Sequence, residues 1–150
     1  MITELRDFLL RERAAFTITA PQSASAGCPP GGPLARVVIL RDGDAYALAV
    51  LPAGAALDLP GFRRRIGRHG LILANEGAFR AEFPEYAAGP LPPFGRMVAV
   101  PVYLDRALAD AAMMRFEGGA DRELFSLPMR EYVRVERPAI APLTQALRAA

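Results

Sequence analysis

The chain has no lysine and no tryptophan, and it has one cysteine and one histidine among its 150 residues. Each shortage removes a class of chemistry. Without lysine there is no phosphate-binding loop of the GxxxxGK[ST] type, and no GxGxxG occurs either. A lone Cys28 cannot form an internal disulfide, which fits a reducing cytoplasm. With His69 as the only histidine, a Cys/His zinc site cannot be assembled, and no metal or cofactor is expected. No apolar run approaches the roughly 20 residues that cross a bilayer, so no membrane partner is expected. The opening "MITELRDFLLRERAA" carries acidic residues early and reads as an amphipathic helix, not as a signal peptide.

What is present is a folded, arginine-rich chain. Hydrophobic residues make up 52% and charged residues 23%, a composition that collapses into a core. The length suggests one domain over residues 1–150, able to bury a core without staples. All 18 basic residues are arginines, against 16 acidic ones. A bias toward Ala, Arg, Gly and Pro accounts for most of them. Where arginines cluster, their planar forks still suit phosphate.

Leu5, Phe8 and Leu9 mark one face of a helix over 2–14. "FTITA" (16–20) reads as a strand, and "PQSASAGCPPGGP" (21–33) as a loop. "ARVVILR" and "AYALAVLP" flank an Asp-Gly, a strong hairpin signal, and both runs are apolar enough to sit mid-sheet. "PGFRRRIGRHG" predicts a short helix around 62–69, ending at Gly70. "LILA" is a strand, and Asn75 caps a helix over 76–83. "MVAVPVYLD" reads as a strand with Pro101 near a sheet edge. "MMRFE", "GG" and "ELFSL" form a second hairpin, and Pro128 opens a last helix. The tail after Pro138 adds one more turn. The fold class expected is α+β: a single domain with a curved, mixed, mostly antiparallel sheet or partly open barrel and peripheral helices. Hairpin 35–52 is expected at its centre.

Catalytic constellations are few. His69 at a helix end serves the dipole or faces water, and a Cys28–His69 dyad lacks a nucleophile motif. Asp42, Asp44, Asp58 and Asp105 sit where turns and strand ends fall. Two features stand out. Arg63, Arg64, Arg65 and Arg68 form either a solvated helix face or a phosphate-contacting patch. "GPLPPFG" (89–95) puts three prolines and two glycines into seven residues. It is either a stiff connection or, with "FEGG", a backbone wall held close to something small. Gly89, Gly118 and Gly119 admit close approach, and Pro92 and Pro93 hold the chain extended.

From about residue 34 to 137 the chain resembles the YbaK/prolyl-tRNA-synthetase-associated family of aminoacyl-tRNA editing domains. "LARVVILRDGDAYALAVLPAGAALDL" is similar to its first hairpin and the segment that follows. "GPLPPFG" matches its GxxxP loop at Gly89 and Pro93, and "VPVYLDRAL" and "MMRFEGGADRELFSLPMREYVRV" its closing strands and helix. The resemblance implies that the chain hydrolyses the ester of mischarged aminoacyl-tRNA in the cytoplasm, with tRNA as partner and an aminoacyl-tRNA synthetase as a second one. It implies a water held by backbone and by the terminal ribose hydroxyl, with no general-base side chain. Arg36, Gly89 and Pro93 would then be the catalytic positions. Pro92, Phe94, Gly95, Gly118 and Gly119 would bind substrate, and Arg63, Arg64, Arg65 and Arg68 would meet RNA. Arg36 stands where the family usually has lysine, and its guanidinium is expected to point into a cleft lined by Gly89 to Phe94 and Gly118. Residues 21–33 form a shortened loop where relatives carry a helical segment. A non-catalytic module that binds an amino acid, a tRNA end or a protein partner in the same cleft is the alternative.

Overall fold

Leu5, Phe8 and Leu9 recur at the three- and four-residue spacing of one helical face, and in helix α1 (Ile2–Arg11) that face is buried. The computed structural model describes residues 2–19, 34–86, 89–118 and 122–144. The expected loop 21–33, with Cys28, and Gly119 lie outside the described residues. Strand β1 (Thr17–Thr19) follows, and then the hairpin of β2 (Ala35–Asp42) and β3 (Ala45–Pro52). Gly43, at φ +63°, supplies the left-handed step of its two-residue turn. The register runs from Ala35 opposite Pro52 to Asp42 opposite Ala45.

Helix α2 (Leu59–Ile66) begins with the Asp58 carboxylate accepting the Gly61 N–H at 3.2 Å. It stops at Gly67, not at Gly70, because Gly67 is left-handed (φ +69°) and the Arg68 N–H returns to the Arg63 carbonyl. Arg68 and His69 therefore lie beyond the helix. Strand β4 (Ile72–Leu73) and helix α3 (Glu76–Glu82) follow, and Asn75 caps α3 by accepting the Ala78 N–H at 2.8 Å. Residues 97–100, expected as strand, instead wind through a 3-10 turn. The N–H groups of Val98 and Val100 both donate to the Gly95 carbonyl, so they are not free to enter a ladder. Strand β5 (Val102–Asp105) starts after Pro101 and leads into a short helix, α4 (Arg106–Ala109). Strands β6 (Met113–Gly118) and β7 (Glu123–Pro128) pair antiparallel, and helix α5 (Met129–Glu136) opens after Pro128. The tail expected as a turn forms strand β8 (Ala139–Ala141).

The strands make two sheets, in the orders β1-β7-β6 and β4-β2-β3-β5-β8. Among the described residues the architecture is α+β, with five helices and sheets that do not close into a barrel. β5 is interior, parallel to both β3 and β8. The expected edge position is thus overturned: Pro101 sits just ahead of the strand and contributes only its carbonyl, which accepts from Leu48. β3 is central; the expectation covers the whole hairpin 35–52, and β2 meets it only in its second half, where β4 pairs with it. Among the described residues β2 meets β4 only at Leu40 and Arg41, so its first half is a sheet edge there. The two faces of β2 divide the interior. Ile39, with Ala35 and Val37, joins a large core containing Phe94, Phe116 and Phe125. Leu40, with Val38, joins a smaller core under α2 with Phe62 and Leu51.

Candidate active site

Residues 89–95 are pinned along their length by side chains from other elements. Arg80, on α3, donates to the carbonyls of Tyr86 and Gly89, the latter at 2.9 Å. The Tyr132 hydroxyl donates to the Pro93 carbonyl at 2.6 Å, and the Tyr86 hydroxyl to that of Phe94. Burial pushes both phenols up in pKa, with the nearby Glu136 charge adding to it, so both remain donors. The Phe94 ring is buried edge-on among Phe8, Phe116 and Tyr132, at centroid distances of 5.8, 5.7 and 5.1 Å. At the far end the Arg96 N–H donates to Glu136 at 3.2 Å. The corner is a fixed piece of backbone.

Beside it runs a groove of about 470 Å³. Gly89, Pro90 and Leu91 form one wall, Leu34 to Val37 at the start of β2 another, and Glu76 and Arg80 of α3 a third. Glu117, at the end of β6, and Arg122 complete it. β6 is an edge strand of its sheet and lies against β2 without pairing. The groove thus opens where two sheet edges approach but do not join.

The expected residues separate into two groups. Arg36 and Gly89 line the groove together. Pro92, Pro93, Phe94 and Gly95 are buried behind the half-buried Gly89–Leu91 segment instead of lining the groove. Gly118 faces the core: a Cβ there would stand 2.8 Å from the Phe125 ring, so packing explains the glycine. The Arg36 guanidinium does not point into the groove as expected. Its residue shares a β2 face with Val38 and Leu40, and it donates to the Ala55 carbonyl at 2.7 Å. Arg63, Arg64, Arg65 and Arg68 belong to the α2 side of the same sheet, across from Ala35 and Val37. Arg65 donates to the Pro142 carbonyl, and Arg68 lies 3.9 Å from Asp42. His69 is exposed.

Two residues that carry the site do not stand out in the sequence. Arg80 reads in sequence as half of a solvated i,i+4 pair with Glu76, a pair that does form at 3.1 Å. Nothing in that spacing shows its grip on Gly89. Glu136 reads as a polar helix residue, yet it is buried against the corner. Burial raises its carboxyl from 4.5 to about 8, a rise opposed by the N–H groups of Arg96 and Gly95 and by the Arg96 charge. The folded state thus keeps a proton that the unfolded chain has lost. Stability from this group is full below pH 4.5 and falls as pH rises toward about 8. Urea midpoints of the wild type should decline across that window, and Glu136→Gln should flatten the decline. An unchanged pH slope in the variant would count against this.

The groove lining holds no histidine, cysteine, serine or threonine among the described residues. Its chemistry lies in backbone groups, two carboxylates and arginines. A family model described as an aminoacyl-tRNA editing domain matches residues 14–135. No curated protein matches the chain in sequence. Among solved structures, a candidate signal transduction protein from Marinobacter aquaeolei VT8 superimposes with a TM-score of 0.77 at 17% identity. That match covers 94% of this chain but 30% of the other, so the present chain spans under a third of that protein. A scaffold protein for presenting grafted linear epitopes gives 0.76 at 22% identity, over 97% of each chain. A candidate trans-editing enzyme for prolyl-tRNA synthetase gives 0.75 at 21% identity, over 96% of each. At these identities the likeness is one of fold.

Proposed function

The chain belongs to the aminoacyl-tRNA editing domain family, and from that premise we propose that it acts in trans on mischarged aminoacyl-tRNA and hydrolyses the aminoacyl ester at the tRNA 3′ end. The observation that carries this reading is the groove between two unpaired sheet edges, walled by a pinned corner. Binding alone separates amino acids that differ by one methylene by only about 1–3 kcal/mol, so a second pocket of fixed size is a useful sieve. Backbone anchored at Gly89, Pro93 and Phe94 makes such a gauge. With no histidine, cysteine, serine or threonine in the described lining, this reading takes the nucleophile to be a water that backbone groups and the terminal ribose hydroxyl hold in place. Deacylation assays over a panel of mischarged tRNAs test this. At least one ester should be cleaved well above its spontaneous rate, and intact esters throughout would sink the reading.

One observation favours a second reading, a non-catalytic binding module. Arg36 is tied to Ala55 and not turned toward the groove. In that case the panel would show binding without cleavage, and Arg36→Lys would create no activity.

Arg36 also stands at the β2 edge, on the sheet face that α2 covers. The tRNA is proposed to leave the groove past Arg36 and meet that helix. Arg63 and Arg64 make no side-chain hydrogen bond among the described residues, so both can be spared for phosphate. Changing both to alanine should weaken tRNA binding irrespective of sequence. It should also lower the slope of log affinity against log salt by about one unit per lost contact. Titrations at several salt concentrations check this, and an unchanged slope would leave α2 a solvated face.

A further inference from the structure

The groove's charges are not equally committed. Arg80 is held by two carbonyls and by Glu76, and Arg36 by Ala55. Glu117 is different. It sits on β6 between Phe116 and Gly118, which are buried in the core, so its own side chain projects on the opposite side. That side chain is 35% exposed, and its one described ionic partner is Arg122, at 3.2 Å. Arg122 is itself 69% exposed and lies across the hairpin end. An ion pair so open to water is worth about 0–1 kcal/mol. A cation entering the groove can therefore replace Arg122 at the carboxylate with little loss.

The cation that an aminoacyl ester brings is its α-ammonium, one carbon from the ester carbonyl. We propose that the Glu117 carboxylate receives this α-ammonium, and so makes the groove select a free amine over a blocked one. The inference rests on the aminoacyl-ester reading of the groove. It adds a named receptor for the one charged group present in every aminoacyl-tRNA and absent from a peptidyl or N-acetylated one. Charge-assisted hydrogen bonds of this kind are the strong ones, and a carboxylate on a strand holds its position better than one on a loop. With the ammonium fixed at β6 and the side chain against the Gly89–Leu91 wall, the ester is left facing the edge of β2.

The test uses a non-hydrolysable alanyl-adenosine amide and its N-acetyl derivative, titrated against wild type and Glu117→Gln. Wild type should bind the free amine about ten- to a hundredfold more tightly than the acetylated form. Glu117→Gln should bring the two affinities together by weakening the first and leaving the second unchanged. A merely structural role for Glu117 would weaken both alike. A variant that keeps the amine preference overturns the proposal, as does a wild type that shows none or that binds neither compound. Hydrolysis of alanyl-tRNA, run in parallel, separates the two ideas. Amine-selective binding without cleavage removes the deacylase reading and leaves Glu117's role standing. Cleavage that ignores N-acetylation does the reverse.

Discussion

A Gly95→Ala chain is expected to lose about 3 kcal/mol or more of folding stability, a large share of the 5–15 kcal/mol typical of a domain. The reason is geometric. A Cβ at this position would stand 2.2 Å from the Val100 carbonyl oxygen and 3.0 Å from a Val102 methyl. Neither neighbour has room to retreat. Val100 is bonded back to Gly95 through its own N–H, and Val102 starts a strand held on both sides by β3 and β8. Gly95 has φ −102°, so the cost is collision and not backbone conformation. Urea unfolding followed by circular dichroism measures it. A midpoint equal to wild type would mean that the turn at 96–100 yields easily, and that the corner is less rigid than its contacts imply.

The second large effect is expected on rate. Arg80→Ala removes the guanidinium that ties Gly89 and Tyr86 to α3 and leaves two carbonyls without it. Deacylation should fall about a hundredfold, equivalent to about 2.7 kcal/mol of transition-state stabilisation. Stability should drop by about 2 kcal/mol as well, the scale of losing hydrogen bonds to a charged donor. Arg80→Lys should recover only part, because one ammonium cannot reproduce a fork that holds two carbonyls and Glu76 at once. The rate must be taken per folded molecule, at a temperature where the variant is native. A variant that is less stable but equally fast when folded would show that the Gly89 wall takes no part in catalysis.

Much of this scaffold could be read in the residues, because the signals were local. Gly43 and Asp44 turn the first hairpin where the Asp-Gly signal falls, Asn75 caps α3 and Pro128 opens α5. What escaped was decided at long range. β8 is three residues between prolines, and only its pairing with β5 makes it a strand. Val98 and Val100 carry strand-forming side chains, yet the Gly95 carbonyl takes their N–H groups. At the site, Gly89 stood out by its motif. Arg80 and Glu136 did not, since each acts on a peptide group that no spacing rule connects to it. Arg36 was placed at the right edge, but the alternation along β2 turns its side chain to the other face.

The anchored corner also bears on how such a site diverges. Its wall is made of peptide groups, and the side chains within it, Phe94 above all, are committed to the interior. Substitution there would unsettle the fold before it reshaped the opening. On the aminoacyl-ester reading, a change of amino acid would have to come from the opposite bank, where Ala35 and Val37, half-buried against the core, also reach the groove. On that reading, new substrate ranges should arise by resizing Ala35 and Val37 while the proline-rich bank stays as it is.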